Sequence, residues 1–263
     1  MTPHLIICLA SFLAAGLSFY SGFGLGTLLL PVFALFFPAE VAVACTAVVH
    51  GANGAFKVSV AGKYADLALV FGFGFPSLLA AFAGAIALGY VSHFGTMATY
   101  SVGPRTAVVT PLKLVLGTLM FAFALFELLP RLRELRFDRK YLILGGVLSG
   151  FFGGFSGHQG ALRSAFLAKV GLSTQAFVGT TAVIGLMVDV VRIATYAGAF
   201  YLTGEIGLSR LDQWSLVLTA IGASFVGVLI ARRFLANVTM RAVQTVTGTL
   251  LFGIAVALGA GVI

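Results

Sequence analysis

Four charged residues stand inside otherwise apolar stretches of the chain: Lys113, Arg163, Asp189 and Arg192. A charge near the centre of a bilayer costs about 2.5–3.5 kcal/mol or more, so such a residue generally has a function or a partner. Arg163 lies in GHQGALRSAFL (157–167), one turn past a Gly-rich break. A helix starting near Gly157 would present free N–H groups to an anion, and Arg163 would add a bidentate fork suited to an oxyanion. The competing reading is an arginine that holds helix-end carbonyls. Asp189 and Arg192 are three residues apart and share a helical face. Either they neutralise each other, or Arg192 meets an anion while Asp189 orients it or exchanges a proton. Lys113 begins its segment and is expected to reach outward along its own stem.

A second set is defined by spacing. Thr46, His50, Asn53 and Lys57 follow one another at four, three and four residues, which puts them on one helical face. Thr181, Gly185, Asp189 and Arg192 form the equivalent stripe further on. Two such stripes facing each other would line a wet, positive cavity. His50 needs a partner in so apolar a helix, as a proton carrier, a donor to substrate or a satisfied structural histidine. Lys57 lies near a segment end, where reaching for the interface competes with a site role. Ser156, His158 and Gln159 mark the second Gly-rich break as neutral donors to a substrate, or as partners of broken backbone.

The elements that position these residues are membrane segments. Apolar residues make up 60% of the chain and charged residues 9%, against about 25% charged in soluble domains, and the mean hydropathy is +1.08. Apolar runs fall at 4–20, 24–37, 39–60, 66–91 and 107–129, then at 141–155, 158–172, 174–202, 213–235 and 239–262. The net charge of +8 resides mainly in short loops, the pattern that orients a membrane protein; nothing points to nucleic acid. Cys8 and Cys45 form no CxxC and read as small buried residues, so no metal, redox or other cofactor is expected. With no Lys or Arg before the first apolar run, a cleaved signal peptide is not expected.

The two halves share a pattern. Each opens with a short segment, a Gly-rich break (SFYSGFGLG, 18–26; GFFGGFSGHQG, 150–160) and a second short segment, and continues with three longer ones. A shift of 134 lays Gly16 on Gly150 and Gly26 on Gly160, and puts His158 and Gln159 against Gly24 and Leu25. One more residue lays Thr46 on Thr181 and Lys57 on Arg192. With the loop 130–140 inside, eleven of the sixteen basic residues fall on the cytoplasmic side and two, Arg105 and Arg210 of the 203–212 loop, outside. Each half then crosses the membrane an odd number of times, which inverts the second half relative to the first. Paired, Gly-interrupted short segments in inverted repeats point to a transporter with a midplane site. Opening segments of about 14 residues would reach roughly 21 Å, short of the ~30 Å core. The expected fold is all-α: a polytopic membrane protein of two inverted repeats, each a broken or re-entrant helix hairpin followed by three membrane helices. Residues 1–129 form the first repeat, 130–140 a basic cytoplasmic linker and 141–263 the second, with both termini outside.

The chain resembles the TauE/SafE sulfite exporter family. The resemblance rests on GFGLGTLLLPVFALFFPAEVAVACTAV, with Pro31, Pro38, Val43 and Thr46, and on GGFSGHQGALRSAFLAKVGLSTQAFVGTTAV, with Gly160, Leu167, Gly171, Val178, Gly179 and Thr180. Ala44–Cys45 before Thr46, and GHQG in the second break, depart from the more Gly-rich family pattern. The resemblance implies export of sulfite or organosulfonates such as sulfoacetate across the cell membrane. The residues expected to bind the anion are Thr46, His50, Asn53, Lys57, Ser156, His158, Gln159, Arg163, Thr181 and Arg192. Asp189 or His50 would orient it or couple a proton. The partners are a small anion and the bilayer, with a homodimer open to it. An anion channel of the same fold and a carrier of another small organic anion are the alternatives. A membrane enzyme is not expected, because no nucleophile–base set can be assembled.

Overall fold

The computed structural model describes residues 3–21, 25–133, 135–203, 211–234 and 240–263. The chain is an all-α polytopic membrane protein. In order, the helices are α1 (Pro3–Ser21), α2 (Leu25–Ala34), α3 (Ala39–Ala61), α4 (Leu67–Ser92), α5 (Pro111–Leu128), α6 (Leu142–Ser156), α7 (Gly160–Leu167), α8 (Thr174–Thr203), α9 (Leu211–Phe234) and α10 (Met240–Gly259). Among the described residues, five stretches are long and apolar enough to cross a membrane: Ala39–Tyr64, Leu67–Ser92, Pro111–Leu128, Thr174–Ala199 and Trp214–Ala231. Residues 22–24 of the first break, including Gly24, and residues 204–210, with Glu205 and Arg210, lie outside the described residues.

Local chemistry sets several boundaries. Asp66 caps α4 by accepting from Leu69 N at 3.1 Å, and its own N–H donates to Thr180 Oγ1 of α8 at 2.9 Å. The apolar run expected to begin at 107 starts its helix only at Pro111. Before it, Ala98–Val102 (β1) and Arg105–Val109 (β2) pair as an antiparallel hairpin. Thr106, Val108, Val109 and Thr110 are β-branched and suit a strand. Pro111 suits a first helical position, with the Thr110 side chain accepting from Lys113 N. Lys113 Nζ donates back to Val108 O at 3.0 Å.

The opening pairs are broken helices of unequal arms. α1 has 19 residues, longer than the length expected for it, and reaches about 28 Å. The second arms, α2 and α7, have 10 and 8 residues and reach only about 15 and 12 Å. α7 begins at Gly160, three residues later than the expected start near Gly157. Gly157 takes the left-handed conformation (φ 83°) that ends α6, and only then does the chain re-enter a helix.

Packing across the two halves is reciprocal. α1 lies against α9 and α6 against α4; α3 meets α9 and α8 meets α4; α3 pairs with α8, and α5 with α10. Glycines at every fourth position set the α6–α4 contact. A Cβ at Gly146 would sit 2.5 Å from Phe73 O, at Gly150 2.1 Å from Ser77 O, and at Gly154 2.0 Å from Ala81 O. The matching α1–α9 contact places Gly227 so that a Cβ would meet Phe12 O at 2.3 Å. Lipid is as apolar as leucine, so such backbone approach, rather than hydrophobic exclusion, holds membrane helices together.

Because the obstructing atoms are backbone, no rotamer change relieves a side chain at these glycines. Gly150→Leu is expected to destabilise the protein by about 3 kcal/mol, the upper part of the overpacking range. Gly72→Ala, with nothing within 4 Å of its Cβ, is expected to lose nothing. Thermal unfolding of both variants in detergent tests this; equal midpoints would show that α4 and α6 are not held by this contact.

Candidate functional site

The two polar stripes face each other. α3 and α8 pack closely at Gly51, where a Cβ would lie 3.1 Å from Ile193 Cδ1; at Gly54 a Cβ would make an ordinary contact, 3.8 Å from Leu186 Cβ. Across this contact, His50 Nδ1 lies 2.6 Å from Asp189 Oδ2. Arg192, one turn further along α8, donates from Nε to Asp189 Oδ1 at 2.9 Å, and its Nη2 lies equally close to that oxygen. Asp189 and Arg192 have no exposed side-chain surface. Gln159 Nε2 also donates to Asp189 Oδ1, at 3.3 Å, while Gln159 Oε1 accepts from Arg163 Nη1 at 3.0 Å. One continuous polar chain therefore joins His50, Asp189, Gln159 and Arg163.

The second break is satisfied by side chains. Arg192 Nη1 donates to Gly153 O at 3.4 Å, Ser149 Oγ to Gln159 O at 3.0 Å, and the Tyr196 hydroxyl to Gly154 O. Irregular backbone at membrane depth requires such partners. Gly26, after the first break, approaches the same place: a Cβ there would lie 3.2 Å from Gly157 O and 3.4 Å from His50 Cδ2.

Beside this layer lies a small pocket with a cavity volume of about 30 Å³. His50, Asn53 and Lys57 line it from α3, Arg163 from α7, and Thr181 and Gly185 from α8; Ser18, Phe19 and Leu25 close it from the first hairpin. Lys57 does not simply reach for the interface, because its Nζ donates to Ser18 Oγ at 2.9 Å and to Ser18 O at 3.3 Å. Asn53 is buried, and its Nδ2 has no hydrogen-bond partner among the described residues. Gly185 leaves room for the Arg163 guanidinium, since a Cβ there would lie 3.1 Å from Nη1. Among the described residues, the lining carries two cations and no carboxylate.

Of the residues singled out by sequence, His50, Asn53, Lys57, Arg163 and Thr181 meet in this pocket. Asp189, Arg192 and Gln159 form the layer behind it. Ser156 and His158 lie elsewhere: Ser156 Oγ donates to Phe152 O and contacts His158 Nδ1, and the His158 ring stacks on Phe123 at 5.1 Å. Thr46 donates to Ala42 O within its own helix and is not part of the lining. Ser18 had no role in the sequence reading. Its position at the start of the first Gly-rich break was the available signal. No group of three His, Cys, Asp or Glu side chains able to hold a metal occurs among the described residues.

Comparison with known proteins then decides the family. Residues 7–258 match the sulfite exporter TauE/SafE family, nearly the whole chain. The chain belongs to that family. No curated protein and no solved structure matches it. As a TauE/SafE member with several membrane-spanning helices, it is a multi-pass membrane transporter of sulfur anions as a class.

The buried carboxylate neutralises Arg192 and holds His50, so its loss leaves both without it. Asp189→Ala is expected to destabilise the protein by about 3–5 kcal/mol, the cost of breaking a buried ion pair from one side. Asp189→Asn, which keeps an acceptor for Arg192, should lose less. Unfolding in detergent micelles measures both; wild-type stability for Asp189→Ala would mean the pair does not hold α8 in place.

Proposed function

We propose that the protein is a secondary transporter that exports sulfite or a small organosulfonate such as sulfoacetate. The observation that carries this reading is the pocket: among the described residues, Lys57 and Arg163 share it with the unpartnered Asn53 Nδ2, and no carboxylate lines it. Arg163 offers a planar fork to two oxygens of one anion, and Lys57 a compact charge. Asn53 supplies a neutral donor that otherwise stays buried and unsatisfied, which costs about 1–3 kcal/mol. The apolar Phe19, Leu25 and Val178 walls suit a short carbon chain. The solute is carried unchanged.

The carrier works by alternating access between inverted repeats, 1–129 and 141–263. Reciprocal packing of the halves supports the repeat relation. The lining comes from the later part of α3 and the earlier part of α8, on one side of the His50–Asp189–Arg192 layer. On the other side α3 is closed by Ala42, Val43 and Ala47, each fully buried. A pocket open to one side only is what a carrier requires. With the basic 130–140 linker cytoplasmic in the cell membrane, and both termini outside, this pocket faces the cytoplasm.

The test is thermal unfolding in detergent against sulfite, sulfoacetate, taurine, sulfate, acetate and chloride. A ligand of the folded state adds about 2.7 kcal/mol at a hundredfold excess over Kd. A selective rise with sulfite or sulfoacetate is expected, with affinity about 10- to 100-fold weaker in Arg163→Ala and in Lys57→Met, the loss of one charged hydrogen bond. The reading is wrong if no sulfur anion shifts the midpoint, or if both variants bind like the wild type.

A further inference from the structure

His50 stands between a fixed carboxylate and the pocket. Its Nδ1 is engaged by Asp189 Oδ2 at 2.6 Å, its ring lines the pocket, and the side chain retains 17% exposure. Nε2 has no hydrogen-bond partner among the described residues. Asp189 also receives Arg192 and Gln159, so it serves as an acceptor throughout. An acceptor at that distance keeps the proton of His50 on Nδ1, and the position left to gain or lose a proton is Nε2. In the neutral ring Nε2 presents a lone pair to the pocket and repels an anion. In the imidazolium it presents an N–H donor and a further positive charge.

We propose that His50 Nε2 is the binding site of a coupling proton, taken up together with the anion. This rests on the reading of the pocket as an anion site and adds a second, cationic substrate to it. The groups that face His50 fit the role. From α8, Asp189 stabilises the charged ring and Arg192 is already matched to that carboxylate. From α7, Arg163 reaches Asp189 through Gln159, so charge on the anion and charge on His50 bear on one polar chain. From its own helix comes Lys57, held by Ser18. From the first hairpin, among the described residues, Leu25 and Gly26 approach, neither of which titrates. Toward α9, α3 presents Phe56 stacked on Phe225. Tyr196 of α8 is engaged by the Gly154 carbonyl.

The experiment is isothermal titration of sulfoacetate into the purified full-length protein between about pH 6 and 8.5, in buffers of different ionisation enthalpy. Both acid groups of sulfoacetate remain ionised over this range, because a carboxylate titrates near pH 4, so any linked proton belongs to the protein. Uptake approaching one proton per anion is expected at the alkaline end. Kd should rise by about tenfold per pH unit above the titration of His50. His50→Gln, which keeps a donor toward Asp189 but takes up no proton, should bind weakly and without that slope. A wild-type Kd that does not change with pH overturns the proposal and needs no variant to do so. A slope that survives in His50→Gln also overturns it and moves the proton to Lys57, the other titrating group on the lining. Absence of binding at every pH refutes the anion pocket itself, and the proton linkage with it.

Discussion

A carboxylate and a guanidinium held together without solvent, in helices that cross a membrane, constrain the surrounding structure. Removing two such groups from water costs several kcal/mol per ion, and their attraction offsets this only when the remaining lone pairs and protons also find partners. Asp189 meets that condition through Arg192, His50 and Gln159. Each partner comes from a different part of the chain: α8 itself, α3, and the turn that joins α6 to α7. The ion pair therefore fixes α3 against α8 and the second hairpin against both. Arg192 in turn supplies a donor to Gly153 O, so the break in the helix and the charge behind it satisfy each other.

That arrangement needs backbones that come very close, and glycine is what permits it. Gly51 lets α3 reach Asp189; Gly146, Gly150 and Gly154 let α6 lie on α4; Gly157 turns left-handed beside Arg192. At Gly157 the left-handed conformation disfavours other residues, and a Cβ would lie 2.8 Å from Arg192 Nη1, which would have to shift. The glycines are thus the means by which a chain with few polar residues brings those few together. A core of larger side chains would hold the helices too far apart for His50 to reach Asp189.

The layout was legible where it depended on hydropathy and period. Two polar stripes on α3 and α8 followed from spacings of three and four, and the Gly-rich breaks followed from composition. The hairpin before Pro111 was not legible, because Thr106–Val109 is as apolar as the helix that follows, and hydropathy does not separate strand from helix in so short a run. Nor was the fate of His158. A histidine beside a Gly-rich break suggests a ligand donor, but the left-handed Gly157 directs the chain so that its ring stacks on Phe123 of α5. Ser18 was missed for a related reason: its partner, Lys57, lies on another helix, 39 residues away.

The same geometry divides labour among the buried cations. Arg192 is the most deeply placed and is matched to Asp189, so an approaching anion would have to compete with a carboxylate already at 2.9 Å. A charge neutralised within the protein contributes little further attraction. Lys57 and Arg163 share a lining that, among the described residues, has no carboxylate; Lys57 Nζ donates to Ser18 and Arg163 Nη1 to Gln159, both neutral. Those ties can be exchanged for an oxyanion at little electrostatic cost, and in a low-dielectric pocket the exchange is favourable. Arg192 therefore belongs to the frame that holds the pocket, and Lys57 and Arg163 to the surface that meets the solute.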